Sequence, residues 1–208
     1  MNVKHFKELP LMGILRGIEE KMIEPLADTI IICGLKTVEI TMNTPDAPKL
    51  ISKMVKIAKG KLIIGAGTVL TMNDLTKALE NGATFIVLPA LIPEIVEYCV
   101  RNNIPVFPGA LTPQEIYNVW ELEPTMVKVF PAKFFGPKYI KEIKGPFNDI
   151  ELLACGGVTP QNIGEFFRCG ASAVAFGASV FKKEWLNEKG LPKIAEAIQA
   201  LIRGFESA

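Results

Sequence analysis

The chain has 208 residues, 49% of them apolar, and a formal charge of +1 with acidic and basic residues interspersed. That length supplies one substantial core and is short for two, so residues 1–208 are expected to form a single domain. The near-neutral balance gives no broad positive field, which argues against nucleic-acid and membrane partners. The densest basic run, Lys49, Lys53, Lys56, Lys59 and Lys61, falls mostly at helical spacing and reads as the wet face of an amphipathic helix. No N-terminal stretch reads as a signal peptide, and no apolar run approaches the roughly 20 residues of a membrane span. Cys33, Cys99, Cys155 and Cys169 are widely separated without a CxxC pair, which fits buried, reduced thiols and a cytoplasmic location.

In chain order the sequence predicts strands at Leu11 to Arg16, Thr37 to Met42, Leu62 to Gly65, Thr84 to Leu88, Pro105 to Pro108, Met126 to Phe130, Ile150 to Cys155 and Ala173 to Phe176. Helical periodicity falls at Lys21 to Cys33, Pro45 to Ala58, Met72 to Asn81, Pro93 to Asn102, Pro113 to Trp120, Pro137 to Lys144, Pro160 to Cys169 and Leu191 to Phe205. Thr44-Pro45, Thr112-Pro113 and Thr159-Pro160 each read as a threonine cap followed by a proline that pre-sets the first turn. Gly34, Gly82 and Gly170 follow helical runs and lead into strands, where a positive φ is needed.

Short, nearly all-apolar strands alternating with amphipathic helices predict a parallel sheet covered on both faces, and eight such units in this length predict a compact (β/α)8 TIM barrel. An open Rossmann-like or flavodoxin-like sheet is the alternative. Gly65-Ala66-Gly67-Thr68 has the spacing of neither a GxGxxG fingerprint nor a GxxxxGK[ST] loop, so no nucleotide cofactor follows from it. Function then has to be sought at the C-terminal ends of the strands. Those ends carry Arg16, Glu39 and Asn43, Gly65 to Thr68, Pro89, Gly109 and Thr112, Lys128 and Phe130, Gly156 and Gly157, and Gly177 to Ser179.

Two residues stand out there. Lys128 sits inside the apolar run Met126-Val127-Lys128-Val129-Phe130, where alternation sends it opposite to Val127 and Val129. An inward amine is withdrawn from water, as a Schiff-base nucleophile requires, although a lysine of this kind can also snorkel to the barrel rim. Lys133 is the rival amine, but its loop setting leaves it hydrated. Glu39, inside Thr37-Val38-Glu39-Ile40-Thr41, could be one half of a central ion pair or a proton relay for that amine. Neither a metal nor a cofactor is expected: His5 is the single histidine and lies in the N-terminal lead. A lysine imine is itself an electron sink, which suits aldol cleavage beside a 2-oxo acid.

With these residues in order, the chain resembles the family of 2-dehydro-3-deoxy-6-phosphogluconate aldolases and their galactonate-type and 4-hydroxy-2-oxoglutarate-cleaving relatives. The matching pieces are Gly13-Ile14-Leu15-Arg16, Val38-Glu39-Ile40-Thr41, Gly65-Ala66-Gly67-Thr68-Val69-Leu70, Phe107-Pro108-Gly109, Val127-Lys128-Val129-Phe130-Pro131-Ala132, Gly156-Gly157-Val158 and Phe176-Gly177-Ala178-Ser179. The resemblance implies a Schiff-base aldolase with Lys128 as the imine lysine and Glu39 as the acid/base. It further implies that Thr68 and the Pro89 backbone line the pyruvate end, that Thr112 borders the cavity and that Phe130 walls the iminium. It also implies a homotrimer, for which Trp120, Phe147, Phe166 and Trp185 are candidate core or interface aromatics.

Asn43 departs from the Glu-x-Thr-x-Arg pattern of phosphogluconate-type members, because an amide offers hydrogen bonds but neither the charge nor the fork of a guanidinium. Together with Arg16 it is more similar to the 6-phosphogalactonate branch. Gly156, Gly157, Gly177 and Ser179 would hold a phosphate through close backbone approach, N–H donors, a hydroxyl and a helix N-terminus. The expected reaction splits a 2-keto-3-deoxy-6-phospho-aldonate into pyruvate and glyceraldehyde 3-phosphate. Cleavage of 4-hydroxy-2-oxoglutarate to pyruvate and glyoxylate is the near alternative, and a non-catalytic sugar-acid-binding barrel or a phosphoribose-isomerase-like barrel are the distant ones.

Overall fold

A computed structural model describes Met1–Ala208. Its strands are β1 (Leu11–Leu15), β2 (Thr37–Thr41), β3 (Ile63–Gly67), β4 (Ile86–Val87), β5 (Val106–Phe107), β6 (Gly109–Ala110), β7 (Val127–Val129), β8 (Leu152–Cys155) and β9 (Ala173–Phe176). Every pairing is parallel, in the order β5-β4-β3-β2-β1-β9-β8-β7-β6. β5 and β6 are two halves of one stave, broken at Pro108, which has no N–H to donate. Since one half pairs with β4 and the other with β7, the stave closes the sheet into an eight-fold (β/α)8 barrel.

The helices α1 (Val3–Glu8), α2 (Ile23–Ile32), α3 (Ala47–Ala58), α4 (Met72–Glu80), α5 (Pro93–Arg101), α6 (Pro113–Trp120), α7 (Gly136–Lys144), α8 (Ile163–Arg168) and α9 (Leu191–Glu206) complete the fold. Strand alternation divides the apolar residues into two cores. Val38, Ile40, Ile64, Ala66, Val127, Val129, Leu152 and Ala154 face outward against the helices in one large cluster. Met12, Phe85, Val87, Phe107, Met126, Leu153, Cys155, Ala173 and Ala175 face the bore in a second, smaller one. The bore is therefore a packed interior in which any polar side chain is an exception.

The N-terminal lead, for which the sequence predicts no element, forms α1. Asn2 caps it by accepting from the Lys4 and His5 amides, and Phe6 inserts into the bore cluster. Burying that ring is worth roughly 1.5–3 kcal/mol. Its edge meets Phe107 at a centroid distance of 5.9 Å, so α1 plugs the end of the barrel away from the strands' C-termini.

Two of the three expected threonine caps are corrected by the structure. Thr112 does cap α6, in a reciprocal box with Glu115. α3, however, starts at Ala47 behind Asp46, and Thr44 instead accepts from the Gly17 amide at 2.9 Å and meets the Thr41 hydroxyl at 3.1 Å. A hydroxyl buried between two loops is engaged more fully there than at an exposed helix start. α8 starts at Ile163 behind Asn162, whose amide oxygen accepts from the Thr159 N–H at 2.8 Å. Gly34, Gly82 and Gly170 all have φ between +85° and +96°, as the turns out of α2, α4 and α8 require. No helix is long and apolar enough to cross a membrane.

Candidate active site

β2 and β7 stand four staves apart in both directions round the barrel, so inward side chains on them face each other across the bore. Glu39 comes from β2, in register with Ile14 and Gly65, and is 1% exposed. Lys128 comes from β7, in register with Gly109 and Leu153, and is 6% exposed. They are the only charged residues among the buried set, which otherwise adds just Thr37, Thr41 and Thr44 as polar members.

The space for Glu39 is cut by a glycine. A Cβ on Gly67 would lie 2.3 Å from Glu39 Oε1 and 2.5 Å from its Cδ, so β3 must lack a side chain at this point. Gly65, one layer lower, does the same for the Phe85 ring, which would lie 2.5 Å from an added Cβ. The two glycines thus admit one ring and one carboxyl side by side. Glu39 Oε2 has no hydrogen-bond partner within the protein. A buried, unpartnered carboxylate oxygen costs free energy unless a ligand or proton engages it. Burial accordingly raises the Glu39 pKa above the ordinary carboxylate range, and the charges of Lys128 and Arg16 offset only part of that rise.

Above this pair lie the loops. Arg16, immediately after β1, is exposed and brings Nη2 to 3.5 Å from Thr68 Oγ1. Thr68 follows β3 with φ +54°, a left-handed conformation that a β-branched residue adopts at a cost of about 1–3 kcal/mol. Strain of this kind persists where surrounding structure enforces it, here at the mouth of the bore. Asn43 is exposed on the loop after β2, which is tied to the Arg16 loop by the Thr44 bond to the Gly17 amide. Pro89 follows β4 and is met closely by the next stave: a Cβ on Gly109 would lie 2.2 Å from Pro89 O. A cavity of about 210 Å³ opens here, lined by Pro89, Gly109, Leu111, Glu115 and Phe130 among others. The Thr112 hydroxyl is occupied elsewhere, accepting the Glu115 amide, while the Glu115 carboxylate accepts the amides of Leu111 and Thr112.

Phe130 sets its ring 5.2 Å from Lys128 Nζ, close enough for a cation–π contact and for one wall over the amine. Gly156 and Gly157 follow β8 with φ of +96° and +76°, and both pack against the turn that follows β7. Gly177 follows β9, and its carbonyl accepts the amides of Val180 and Phe181, holding Ser179 in a single tight turn. α8, the helix that follows the glycine pair, has six residues and begins at Ile163, and Asn162 Nδ2 donates to the Gly157 carbonyl at 2.9 Å.

One bore residue escaped the sequence reading. Cys155 ends β8 one layer above Leu153, on the same inward side, and is wholly buried. Burial pushes its thiol pKa up, against a smaller opposing pull from Lys128, so a neutral thiol lines the bore beside the amine. The alternation Leu153, Cys155 on an apolar strand was the available signal.

Comparisons with known proteins agree with this geometry. The aldolase family model "KDPG and KHG aldolase" matches residues 3–197. The 2-dehydro-3-deoxy-6-phosphogalactonate aldolase of Escherichia coli (strain K12) is 30% identical over 202 residues, covering 97% of each chain. The native KDPGal structure superimposes with a TM-score of 0.89 at 30% identity, covering 96% of each chain. A KDPG aldolase of Legionella pneumophila, solved with pyruvate captured at low pH as a covalent carbinolamine intermediate, superimposes with a TM-score of 0.85 at 25% identity, covering 92% of this chain and 93% of its own. An inward lysine opposite an inward glutamate in a closed parallel barrel, matched over nearly its whole length, makes the chain a member of the KDPG and KHG aldolase family.

Proposed function

We propose that this protein, as one barrel domain over residues 1–208, is a class I aldolase that splits a 2-keto-3-deoxy-6-phospho-aldonate into pyruvate and glyceraldehyde 3-phosphate. The observation that carries this reading is the buried pair itself, with Lys128 and Glu39 entering one apolar bore from opposite staves and Gly67 cut away to seat the carboxyl. Lys128 Nζ attacks the C2 carbonyl to give a carbinolamine, and loss of water with a proton from Glu39 gives the iminium. Glu39, then a carboxylate, takes the C4 hydroxyl proton, the C3–C4 bond breaks into the iminium, and the aldehyde leaves. Protonation of the resulting enamine at C3 and hydrolysis release pyruvate and the free amine. A carboxyl whose pKa is raised by burial gives up and takes back a proton in the two directions of this transfer.

Arg16 and Thr68 are assigned to the substrate carboxylate and its neighbouring hydroxyl, Pro89 and Phe130 to the walls of the pyruvate end, and the loop of Thr112 to its border. Asn43 beside Arg16, and the similarity to the E. coli galactonate-type enzyme, support the galactonate configuration. Gly156, Gly157, Gly177 and Ser179 are assigned to the phosphate. A homotrimer is supported by the family resemblance. A cytoplasmic location is supported by the unpaired cysteines.

Borohydride reduction in the presence of pyruvate tests the chemistry. Wild type gains one reduced pyruvyl group per chain on Lys128, and Lys128→Ala gains none and cleaves nothing. An adduct mapped to Lys133 would overturn the assignment. Turnover of the gluconate-type, galactonate-type and unphosphorylated 4-hydroxy acids ranks the substrates, and exclusive use of the last would remove the phosphate site. No adduct and no pyruvate from any of them would favour a non-catalytic binding barrel.

A further inference from the structure

The loops assigned to the phosphate supply donors but no cation. Gly156, Gly157 and Gly177 offer backbone N–H groups and Ser179 a hydroxyl, and no helix starts beside the glycine pair to add its dipole. A phosphate dianion held only by neutral donors forgoes the stronger, charge-assisted bonds open to it. Lys133 is the cation built against this cradle. Gly157 has φ +76°, and a Cβ on it would lie 2.5 Å from Lys133 Cβ and 2.8 Å from Lys133 Cα. The bare glycine therefore lets the turn Ala132–Phe134 rest directly on the β8 loop, which fixes the root of the Lys133 side chain beside the Gly157 backbone.

The ammonium end is exposed and is absent from the ion pairs of the structure. It rests 5.0 Å from the Phe134 ring centroid, a contact that water reaches freely and a dianion can displace. Lys182, three residues after Ser179, is differently committed, with its ammonium 4.2 Å from the Trp185 ring centroid. We propose that Lys133, anchored at Gly157, turns its ammonium onto the substrate phosphate and selects phosphorylated over unphosphorylated keto acids. The inference rests on the reading above that the loops after β8 and β9 hold a phosphate. It gives Lys133 a role distinct from that of Lys128: a compact point charge at the far end of the substrate, with no part in the imine.

The test uses wild type, Lys133→Arg, Lys133→Gln and Lys133→Glu, assayed on a 2-keto-3-deoxy-6-phospho-aldonate and on 4-hydroxy-2-oxoglutarate, with calorimetric titration of inorganic phosphate alongside. The ratio of kcat/KM for the phosphorylated over the unphosphorylated acid should fall about tenfold in Lys133→Gln and further in Lys133→Glu, mostly through KM, and be largely kept in Lys133→Arg. Phosphate affinity should fall in parallel, and the difference from wild type should shrink as ionic strength rises. Where the unphosphorylated acid turns over too slowly to give a ratio, the phosphate titration decides. Equal losses on both substrates, or wild-type ratios and phosphate affinity in Lys133→Glu, overturn the role of Lys133 and leave the phosphate end standing. A wild type that neither binds phosphate nor cleaves the phosphorylated acid overturns both.

Discussion

Replacing Gly67 by alanine should inactivate the enzyme without touching either charged residue. The added Cβ would lie 2.3 Å from Glu39 Oε1, whereas ordinary contact begins at 3.4 Å, so the carboxyl has to retreat by about 1 Å. It has little room to do so, because Glu39 is 1% exposed and its register neighbour Gly65 is already filled by the Phe85 ring. Overpacking of this kind costs about 1–3 kcal/mol. With Glu39 as the proposed proton relay, a displacement of about 1 Å should lower turnover by roughly 10²-fold. The assay couples pyruvate release to a reporter enzyme and measures stability by urea denaturation. Glu39→Asp in the Gly67→Ala background withdraws the carboxyl by one methylene, so stability should return with a coupling of about 0.5–3 kcal/mol while activity does not. Gly65→Ala is the control: it should destabilise through Phe85 and leave the carboxyl free. Gly67→Ala with turnover within a few-fold of wild type and an unchanged urea midpoint would refute the reasoning, since it would mean the carboxyl does not depend on that gap.

Further expectations concern Glu39, Thr68 and Thr112. Because burial raises the Glu39 pKa, the folded state holds its proton more tightly than the unfolded state, and wild-type stability should fall as pH rises from the ordinary carboxylate range through the raised value. Glu39→Gln has no such group, so its stability relative to wild type should increase across that window while turnover drops about 10²-fold or more; a relative stability that stays flat or decreases from pH 4 to 8 in urea melts contradicts the burial argument. Thr68→Gly should relieve the left-handed strain and hold or raise the melting temperature while KM for the keto acid rises, and a loss of stability would count against strain at φ +54°. Thr112→Ala should cost about 1 kcal/mol in the urea midpoint through its cap, and Thr112→Ser, which keeps the accepting oxygen, should recover most of it; equal losses in both would remove the cap as the cause.

The barrel was legible because its signals are local and repeated. Alternation in Met126-Val127-Lys128-Val129 places Lys128 in the bore whatever the rest of the chain does, and the same rule places Glu39 between Thr37 and Thr41. What the pattern could not carry was anything that depends on two segments meeting. Thr44-Pro45 has the local chemistry of a helix cap, yet the Gly17 amide from another loop claims the hydroxyl. Gly67 and Gly157 look alike as punctuation, but one makes room for the Glu39 carboxyl across a strand pair and the other for the turn that carries Lys133. Lys133 shows the difference most sharply. Its loop setting correctly marks it as a hydrated amine unsuited to imine formation, and from that local view it has no further use. Only the contact with Gly157 sets the same hydrated charge beside the loops assigned to the phosphate. In one six-residue stretch the fold then separates two lysines by environment, the buried one suited to covalent chemistry and the exposed one to anion recognition.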